Sequence, residues 1–201
     1  MNIKAIGFDY GGVVAGIPGP EFERQVTGLL GVDLETFKSA YFEFNHLMNN
    51  NVLSRDEFWK KVVEELGLSN KLNELIEFID GLPQHVINME IIGLSDRLRV
   101  NGYKTGLLSN NTMETAQKFR ASDLISHFDA AVFSAEIGVS KPNPMAFKIF
   151  CERLGVALNE MAFIDDTEKS LAAATTIGFT PILFTGYETL VQTLRSKGIN
   201  I

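Results

Sequence analysis

Short apolar runs alternate along most of the chain with longer stretches whose apolar residues recur at helical spacing. The short runs predict five strands, over residues 3–8, 103–108, 130–133, 161–164 and 180–184, because an apolar run bounded by turn residues is typical of a buried strand. The longer stretches predict helices over residues 86–100, 112–120, 144–154, 167–177 and 187–197. This alternation predicts a parallel sheet that is covered by helices on both faces.

A different pattern occupies the chain from about Pro20 to Asp80, where helical periodicity continues without a convincing strand. Four helices are predicted there. Ser54 and Glu57 have the spacing of a capping box at the start of the third, and Ser69 is placed to cap the fourth. We therefore predict a doubly wound α/β core formed by residues 1–17 and 82–201, with an α-helical cap, residues 18–81, inserted after the first strand.

Composition narrows the classes of protein that fit. A hydrophobic fraction of 45% in 201 residues can fill a sizeable core. The formal net charge of −7 argues against nucleic acid and against an anionic membrane surface as partners. Cys151 is the single cysteine, which excludes an internal disulfide, and we expect it to be a small buried hydrophobe. A chain without an internal disulfide suits a reducing compartment, so we expect a cytoplasmic protein, with no signal peptide and no membrane-spanning run.

Polar side chains follow four of the predicted strands, at the point where each strand ends. They are Asp9 after the first, Ser109 and Asn110 after the second, Lys141 beyond the third, and Asp165 and Asp166 after the fourth. In a parallel sheet all of these ends lie at one edge, where ligands bind in doubly wound folds. We therefore expect carboxylates, a hydroxyl, an amide and an ammonium group to converge there.

This combination favours phosphate chemistry. Carboxylate oxygens bind hard cations such as Mg²⁺, which offsets repulsion between an anionic nucleophile and an anionic ester. Each residue also has a plainer interpretation. Asp9 can bond its own turn, Ser109 can cap the next helix, Lys141 can be solvated, and Asp165 and Asp166 can cap the helix at Thr167. Taken together, however, these interpretations require a coincidence at four strand ends.

In their order along the chain, FDYGG, LLSNN, SKPNP and FIDD resemble the four motifs of the haloacid dehalogenase-like (HAD) hydrolase superfamily. The predicted helical insertion resembles that superfamily's small α-helical cap. The resemblance implies a sheet with strand order five-four-one-two-three and an aspartyl-phosphate mechanism. Its implied roles are these: Asp9 as nucleophile, Lys141 as the residue stabilising the charged intermediate, Ser109 and Asn110 as phosphate ligands, and Asp9, Asp166 and the Gly11 carbonyl as Mg²⁺ ligands with Asp165 assisting.

The chain departs from this pattern at Gly11, where phosphatases of the superfamily usually carry an aspartate as general acid and base. A positioned acid or base is typically worth about 10²–10⁴ in rate. The resemblance therefore implies a slow phosphatase, one with a donor from the cap, or one that prefers good leaving groups. Tyr10 points to the opposite side if the strand pleat continues, and we do not assign it as the donor.

Two alternatives remain open at this point. A 2-haloacid dehalogenase also lacks the second aspartate, but it works without metal and does not need the paired acids Asp165 and Asp166. A catalytically weak protein that binds phosphorylated ligands is the third interpretation. We expect a Mg²⁺-dependent hydrolase of small phosphate monoesters, such as a phosphorylated metabolite. Glu43, His46 and Asn50 are weak candidates for contacts from the cap.

Overall fold

A single five-stranded parallel sheet organises the computed structural model, which describes residues 2–16, 20–49, 52–81 and 87–201. The spatial order is β3-β2-β1-β4-β5, which confirms the predicted α/β fold and places the first strand at the centre of the sheet. The strands are β1 (Ala5–Phe8), β2 (Lys104–Ser109), β3 (Ala130–Phe133), β4 (Met161–Asp165) and β5 (Thr180–Leu183).

Helices cover both faces of the sheet, so that the residues of β1 are fully buried whichever way they point. Ile6 and Phe8 pack on one face, and Ala5 packs on the other. Continuous apolar strands of this kind are expected where a parallel sheet has two covered faces. The helices of this part are α5 (Met89–Val100), α6 (Met113–Ala121), α7 (Ser134–Ile137), α8 (Pro144–Leu154), α9 (Glu168–Leu171), α10 (Ala174–Ile177) and α11 (Tyr187–Ser196).

Four helices form the helical insertion, by which we mean residues 20–49 and 52–81. They are α1 (Pro20–Leu30), α2 (Leu34–Asn49), α3 (Arg55–Glu65) and α4 (Leu72–Asp80). Their buried side chains form a hydrophobic cluster of their own, with Phe58, Trp59 and Leu75 among its members. The capping box at Ser54 is present. Ser69, however, begins a short 3₁₀ turn and does not cap α4, which carries no side-chain cap.

Two helix boundaries differ from prediction. The helix expected over residues 167–177 divides into α9 and α10, and Leu171, Ala173 and Ala174 are buried. The helix expected from Val86 begins at Met89, with Asn88 as its N-cap, and Val86 lies outside the described residues.

Candidate active site

Asp9 leaves the central strand at the edge where the carboxyl ends of the strands meet. The register pairs Phe8 with Ile164, so the residues that follow them, Asp9 and Asp165, lie side by side. The Asp9 Oδ1 atom accepts a hydrogen bond from the Tyr10 backbone N–H at 2.7 Å. The interpretation that Asp9 bonds its own turn is therefore confirmed, although Asp9 has further partners. The Tyr10 ring points into the core, 5.8 Å from the ring of Phe119.

Lys141 reaches this edge from the loop between α7 and α8, and its side chain is only 2% exposed. Its Nζ atom lies 2.9 Å from Asp9 Oδ1 and 2.6 Å from Asp165 Oδ2. It also sits 5.1 Å from the centre of the Phe163 ring, a cation–π contact. The interpretation of Lys141 as a solvated loop residue is wrong, because the ammonium group is buried between two carboxylates.

Asp165 is fully buried, and both of its oxygens are engaged by the protein. Its Oδ2 accepts from Lys141, while its Oδ1 accepts from the Thr167 backbone N–H at 2.9 Å and from the Thr167 hydroxyl at 2.7 Å. The carboxylate thus bonds to the turn before α9 and orients Lys141 as well. The capping interpretation is wrong, because the N-cap of α9 is Thr167 and no side chain caps this helix. Thr167 is a supporting residue that sequence reasoning treated only as a helix start.

Asp166 packs directly against the loop that follows β1. A Cβ atom added at Gly12 would lie 2.3 Å from Asp166 Oδ2, which is much shorter than a non-bonded contact between carbon and oxygen. Gly12 also has a φ of +74°, which side-chain-bearing residues rarely adopt. The second glycine of FDYGG is therefore needed both for the turn and for the space that the Asp166 carboxylate occupies.

The three carboxylates of Asp9, Asp165 and Asp166 form one acidic cluster, in which each offers an oxygen within 4.8 Å of the others. One ammonium group, that of Lys141, faces this cluster. Burial raises the pKa of Asp9 to about 6, because desolvation and the nearby Asp165 outweigh the attraction of Lys141. Burial and the charge of Asp165 also raise the pKa of Asp166.

Such a cluster fits a hard divalent cation. Closely spaced carboxylates repel one another, and a cation relieves that repulsion through oxygen ligands. Asp9 and Asp166 are the better placed pair, since both oxygens of Asp165 already accept protein hydrogen bonds. No residue outside Asp166 itself donates a hydrogen bond to its carboxylate among the residues that the structure describes.

Ser109 is the last residue of β2 and is 1% exposed. Within the described ranges no hydrogen bond to its hydroxyl is found, which is uncommon for a buried polar group. The interpretation of Ser109 as a helix cap is wrong, because Thr112 caps α6 by accepting from the Thr115 backbone N–H. A buried hydroxyl without a partner at this edge is suited to accept or donate a hydrogen bond to a bound anion.

The Asn110 side chain points to the backbone of Lys141. Its Nδ2 donates to the Lys141 carbonyl oxygen at 2.8 Å, and its Oδ1 accepts from the Lys141 backbone N–H at 2.7 Å. Both polar ends of the carboxamide are therefore engaged. A phosphate contact from Asn110, as predicted, would have to come from the backbone N–H or from remaining capacity of the side chain.

The remaining predicted residues occupy less defined positions. Gly11 lies in the loop after β1, in a β-bridge with Ala15. Glu43 and His46 are exposed on α2, and in the described part of the chain neither shares a hydrogen bond or ion pair with the acidic cluster. Asn50 lies outside the described residues. Cys151 is buried as expected, and burial raises the pKa of its thiol to about 12.

The fold and the acidic cluster define a hydrolase of the HAD type. The family model for haloacid dehalogenase-like hydrolases matches residues 3–178, and the chain belongs to this family. This confirms the resemblance seen in the motifs. Among the described residues, none of the helices is both long and apolar enough to cross a membrane.

Curated relatives with different activities are similar to the chain. A phosphatase of Mycobacterium tuberculosis is 27% identical over 83% of this chain and 80% of its own length. (S)-2-haloacid dehalogenase 1 of Pseudomonas is 25% identical over 63% of this chain and 59% of its own. Bifunctional epoxide hydrolase 2 of Sus scrofa is 27% identical over 70% of this chain, which spans only 26% of that protein.

Two solved structures show the same fold along nearly the whole chain. A predicted HAD-like hydrolase from Porphyromonas gingivalis superposes with a TM-score of 0.73 at 24% identity, covering 97% of this chain and 99% of its own. A HAD family enzyme from Bacteroides thetaiotaomicron, solved as a magnesium complex, also gives a TM-score of 0.73, at 22% identity, covering 97% of this chain and 100% of its own. At these identities the likeness establishes the fold alone.

Proposed function

We propose that the protein is a Mg²⁺-dependent phosphatase that hydrolyses small phosphate monoesters through a covalent aspartyl-phosphate on Asp9. The observation that carries the proposal is the cluster in which the Asp9, Asp165 and Asp166 carboxylates face the buried ammonium of Lys141. In support, the similar Bacteroides enzyme was solved with magnesium and inorganic phosphate, and a similar mycobacterial protein is a phosphatase.

In this proposal Asp9, Asp166 and the Gly11 carbonyl hold the metal, with Asp165 assisting through its remaining lone pairs. Bound Mg²⁺ would offset the negative charge of the carboxylates and of the phosphate. Asp9 Oδ1 is fixed by Tyr10 and Lys141. Its Oδ2 accepts no hydrogen bond from the described residues, and is the oxygen open to a ligand.

The reaction would proceed by attack of the Asp9 carboxylate on phosphorus. The new P–O bond to Asp9 forms as the ester P–O bond breaks, and the leaving oxygen then takes a proton from water or from a donor on the substrate side. Water next attacks the phosphorus of the aspartyl-phosphate, releasing inorganic phosphate and restoring Asp9. Lys141 partly neutralises the carboxylate charge, and the Ser109 hydroxyl bonds a phosphate oxygen. Because Gly11 supplies no acid, esters with good leaving groups should react fastest.

The helical insertion would act as a cap over this site. We propose residues 1–17 and 82–201 as the catalytic core and residues 18–81 as the cap. The side chains of the insertion form a hydrophobic cluster of their own, so we expect the insertion to move as one unit. Caps and lids of this kind exclude water and select the substrate. A small phosphorylated metabolite is the substrate class that we propose.

Assays of a panel of phosphorylated metabolites, with and without Mg²⁺, test the proposal. We expect turnover only with Mg²⁺, nitrophenyl phosphate hydrolysed faster than alkyl phosphates, and Asp9→Asn at least about a thousandfold slower, since a nucleophile has no substitute. Incubation with substrate should add the mass of a phosphoryl group to the wild type, and none to Asp9→Asn. Turnover that survives in Asp9→Asn would remove the covalent mechanism.

A second candidate is a metal-independent 2-haloacid dehalogenase, because dehalogenases are among the similar relatives and Gly11 fits that chemistry equally well. Halide release from a 2-haloacid in the presence of a chelator would establish it. Phosphate binding without turnover of any ester would instead support a phospho-ligand-binding protein. The acidic cluster favours the phosphatase, since dehalogenation has no need for a metal.

A further inference from the structure

The Asn110 side chain fastens the backbone of the loop that carries Lys141 to the sheet. The two hydrogen bonds between the Asn110 carboxamide and the Lys141 backbone, at 2.7 and 2.8 Å, join residues that are 31 positions apart in the chain. Asn110 directly follows Ser109, the last residue of β2, which is paired in register with Phe133 of β3. The carboxamide therefore ties the loop to the carboxyl end of β2, where the strand is paired with β3.

The Lys141 ammonium depends on this loop for its position. It must reach the gap between Asp9 and Asp165, where its two contacts of 2.9 and 2.6 Å are made by a side chain that is 2% exposed. A buried ammonium that moves away from its carboxylates loses both attractions and is not compensated by water. A fixed backbone at Lys141 limits that movement.

We infer that Asn110 is a positioning residue for Lys141: its carboxamide clamps the lysine backbone and so holds the ammonium between Asp9 and Asp165. The catalytic consequence rests on the proposed function, whereas the clamp itself does not. This role differs from a phosphate contact by the Asn110 side chain, because both polar ends of the carboxamide are already bonded to Lys141.

Asparagine suits this position better than its nearest substitutes. The clamp needs a donor and an acceptor on one planar group, which a carboxamide provides. Aspartate would still accept from the Lys141 N–H, but its second oxygen would face the Lys141 carbonyl oxygen. Alanine would supply neither bond and would leave two backbone groups of the loop without these partners.

Kinetics of Asn110 variants in two backgrounds test the inference. Because both bonds are lost, Asn110→Ala should lower kcat by about tenfold to a hundredfold while KM stays within about threefold, since the ammonium is misplaced but the phosphate ligands remain. Asn110→Asp should fall between alanine and wild type. In a Lys141→Ala background, Asn110→Ala should cause no further loss, because the group that it positions is gone. Asn101→Ala, which changes an exposed asparagine at the end of α5, is the control.

Two outcomes would overturn the inference. A rise in KM and in the inhibition constant for inorganic phosphate, equal in both Lys141 backgrounds, would show that Asn110 binds phosphate. A loss of kcat that persists undiminished beside Lys141→Ala would show a general effect on the fold, which thermal unfolding of each variant would also record.

Hydrogen exchange tests the clamp without any activity. The Lys141 backbone N–H should exchange at least about tenfold faster in Asn110→Ala than in wild type, because its acceptor is removed. Exchange in the strands should stay unchanged. Unchanged Lys141 exchange would overturn the clamp even if the enzyme is a phosphatase. If Lys141 exchanges faster in Asn110→Ala but the wild type has no phosphatase activity, the inferred clamp would be supported and the proposed function rejected.

Discussion

The two edges of the sheet hold charged groups in opposite ways. At the carboxyl edge, meaning Asp9, Ser109, Lys141, Asp165 and Asp166, three carboxylates face one buried ammonium. At the amino edge, meaning Lys4, Lys104, Asp129 and Glu160, each acid has a basic partner and the side chains are partly exposed. The acids of the amino edge are paired and partly exposed, whereas the carboxyl edge is buried with an excess of negative charge.

This difference separates a structural use of charge from a chemical one. Partly exposed ion pairs contribute little to stability, and because their charges are already paired they do not need a bound ligand to neutralise them. A buried cluster with excess charge costs stability until something neutralises it, and such sites are typical of function. Substitutions matched between the two edges should therefore have unequal effects.

The largest difference should come from the lysines. Replacing Lys141 by methionine leaves Asp9 and Asp165 without their ammonium in a buried site, and should cost about 3–5 kcal/mol of unfolding free energy. Lys104→Met removes a lysine that is 56% exposed and lies 3.3 Å from Asp129, and such pairs are worth about 1 kcal/mol or less. Denaturant unfolding in a chelator measures both. Equal losses would contradict the distinction between the edges.

Magnesium should stabilise the carboxyl edge and have no counterpart at the amino edge. At a concentration one hundred times its dissociation constant, a ligand adds about 2.7 kcal/mol. Asp166→Asn should abolish most of this effect, whereas Asp129→Asn should preserve it. Calorimetry or thermal unfolding with and without Mg²⁺ provides the measurement, and a full response in Asp166→Asn would contradict the proposed ligands.

The magnesium effect should also depend on pH with a defined sign. The pKa of Asp9 is raised from 3.8 to about 6 in the folded protein. The stabilisation from its protonated form is therefore complete at pH values below about 4 and is lost as pH rises through about 6. Because Mg²⁺ requires the carboxylate, its stabilising effect should be full near pH 7.5 and should diminish below pH 6. A response that stays constant from pH 7.5 down to pH 5 would exclude Asp9 as a ligand.

Two glycines with similar backbone angles give a smaller contrast. Gly12 has φ +74° and touches Asp166, whereas Gly102, in the turn before β2, has φ +88° and open space around it. Gly102→Ala should cost about 1 kcal/mol from backbone strain alone, and Gly12→Ala about 2–3 kcal/mol, since it must also displace the Asp166 carboxylate. Gly12→Ala should weaken Mg²⁺ binding as well. Equal destabilisation, with Mg²⁺ binding intact, would show that Asp166 moves freely.

The sequence was sufficient for the fold because its signals are local. Each strand is a short apolar run bounded by turns, and the capping box at Ser54 needs only residues three apart. The break between α9 and α10 was not predictable in this way, because it contains no glycine or proline. The segment between the two helices, Ala172 and Ala173, carries no local signal that ends a helix.

The site shows the same limit. Parallel strand ends predict that Asp9 and Asp165 meet, since their positions follow from topology and register. The direction of the Asn110 carboxamide does not follow, because its partner is the backbone of a loop residue far along the chain. The role of Thr167 in holding Asp165 was missed for a related reason: a threonine at a helix start has many possible partners.

The smallest effect on stability should come from Ser109, which contrasts with Ser95, another of the buried serines. Ser95, at 0% exposure, donates to the His127 carbonyl oxygen at 2.7 Å and bonds to the Thr105 hydroxyl at 2.9 Å. Ser109, at 1%, has no hydrogen bond from its hydroxyl to any residue in the described ranges. Ser95→Ala should therefore lower the unfolding free energy by about 1–3 kcal/mol, because it leaves the hydrogen-bond partners of Ser95 unpaired. Turnover should be unchanged, because these partners lie outside the candidate active site.

Ser109→Ala should do the reverse. Removing a buried hydroxyl without a protein partner should leave the unfolding free energy within about 0.5 kcal/mol of wild type or raise it, since nothing is left unpaired. Its loss should appear in activity, as a rise in KM and in the inhibition constant for phosphate of about tenfold, the value of one hydrogen bond to a charged group. Ser95→Ala should change the unfolding free energy but not the kinetic constants, and Ser109→Ala should change the kinetic constants but not the unfolding free energy. The pair therefore tests whether the Ser109 hydroxyl, which has no hydrogen-bond partner among the described residues, binds a ligand. A Ser109→Ala variant that unfolds more easily, yet binds phosphate normally, would show that this hydroxyl does not bind the ligand.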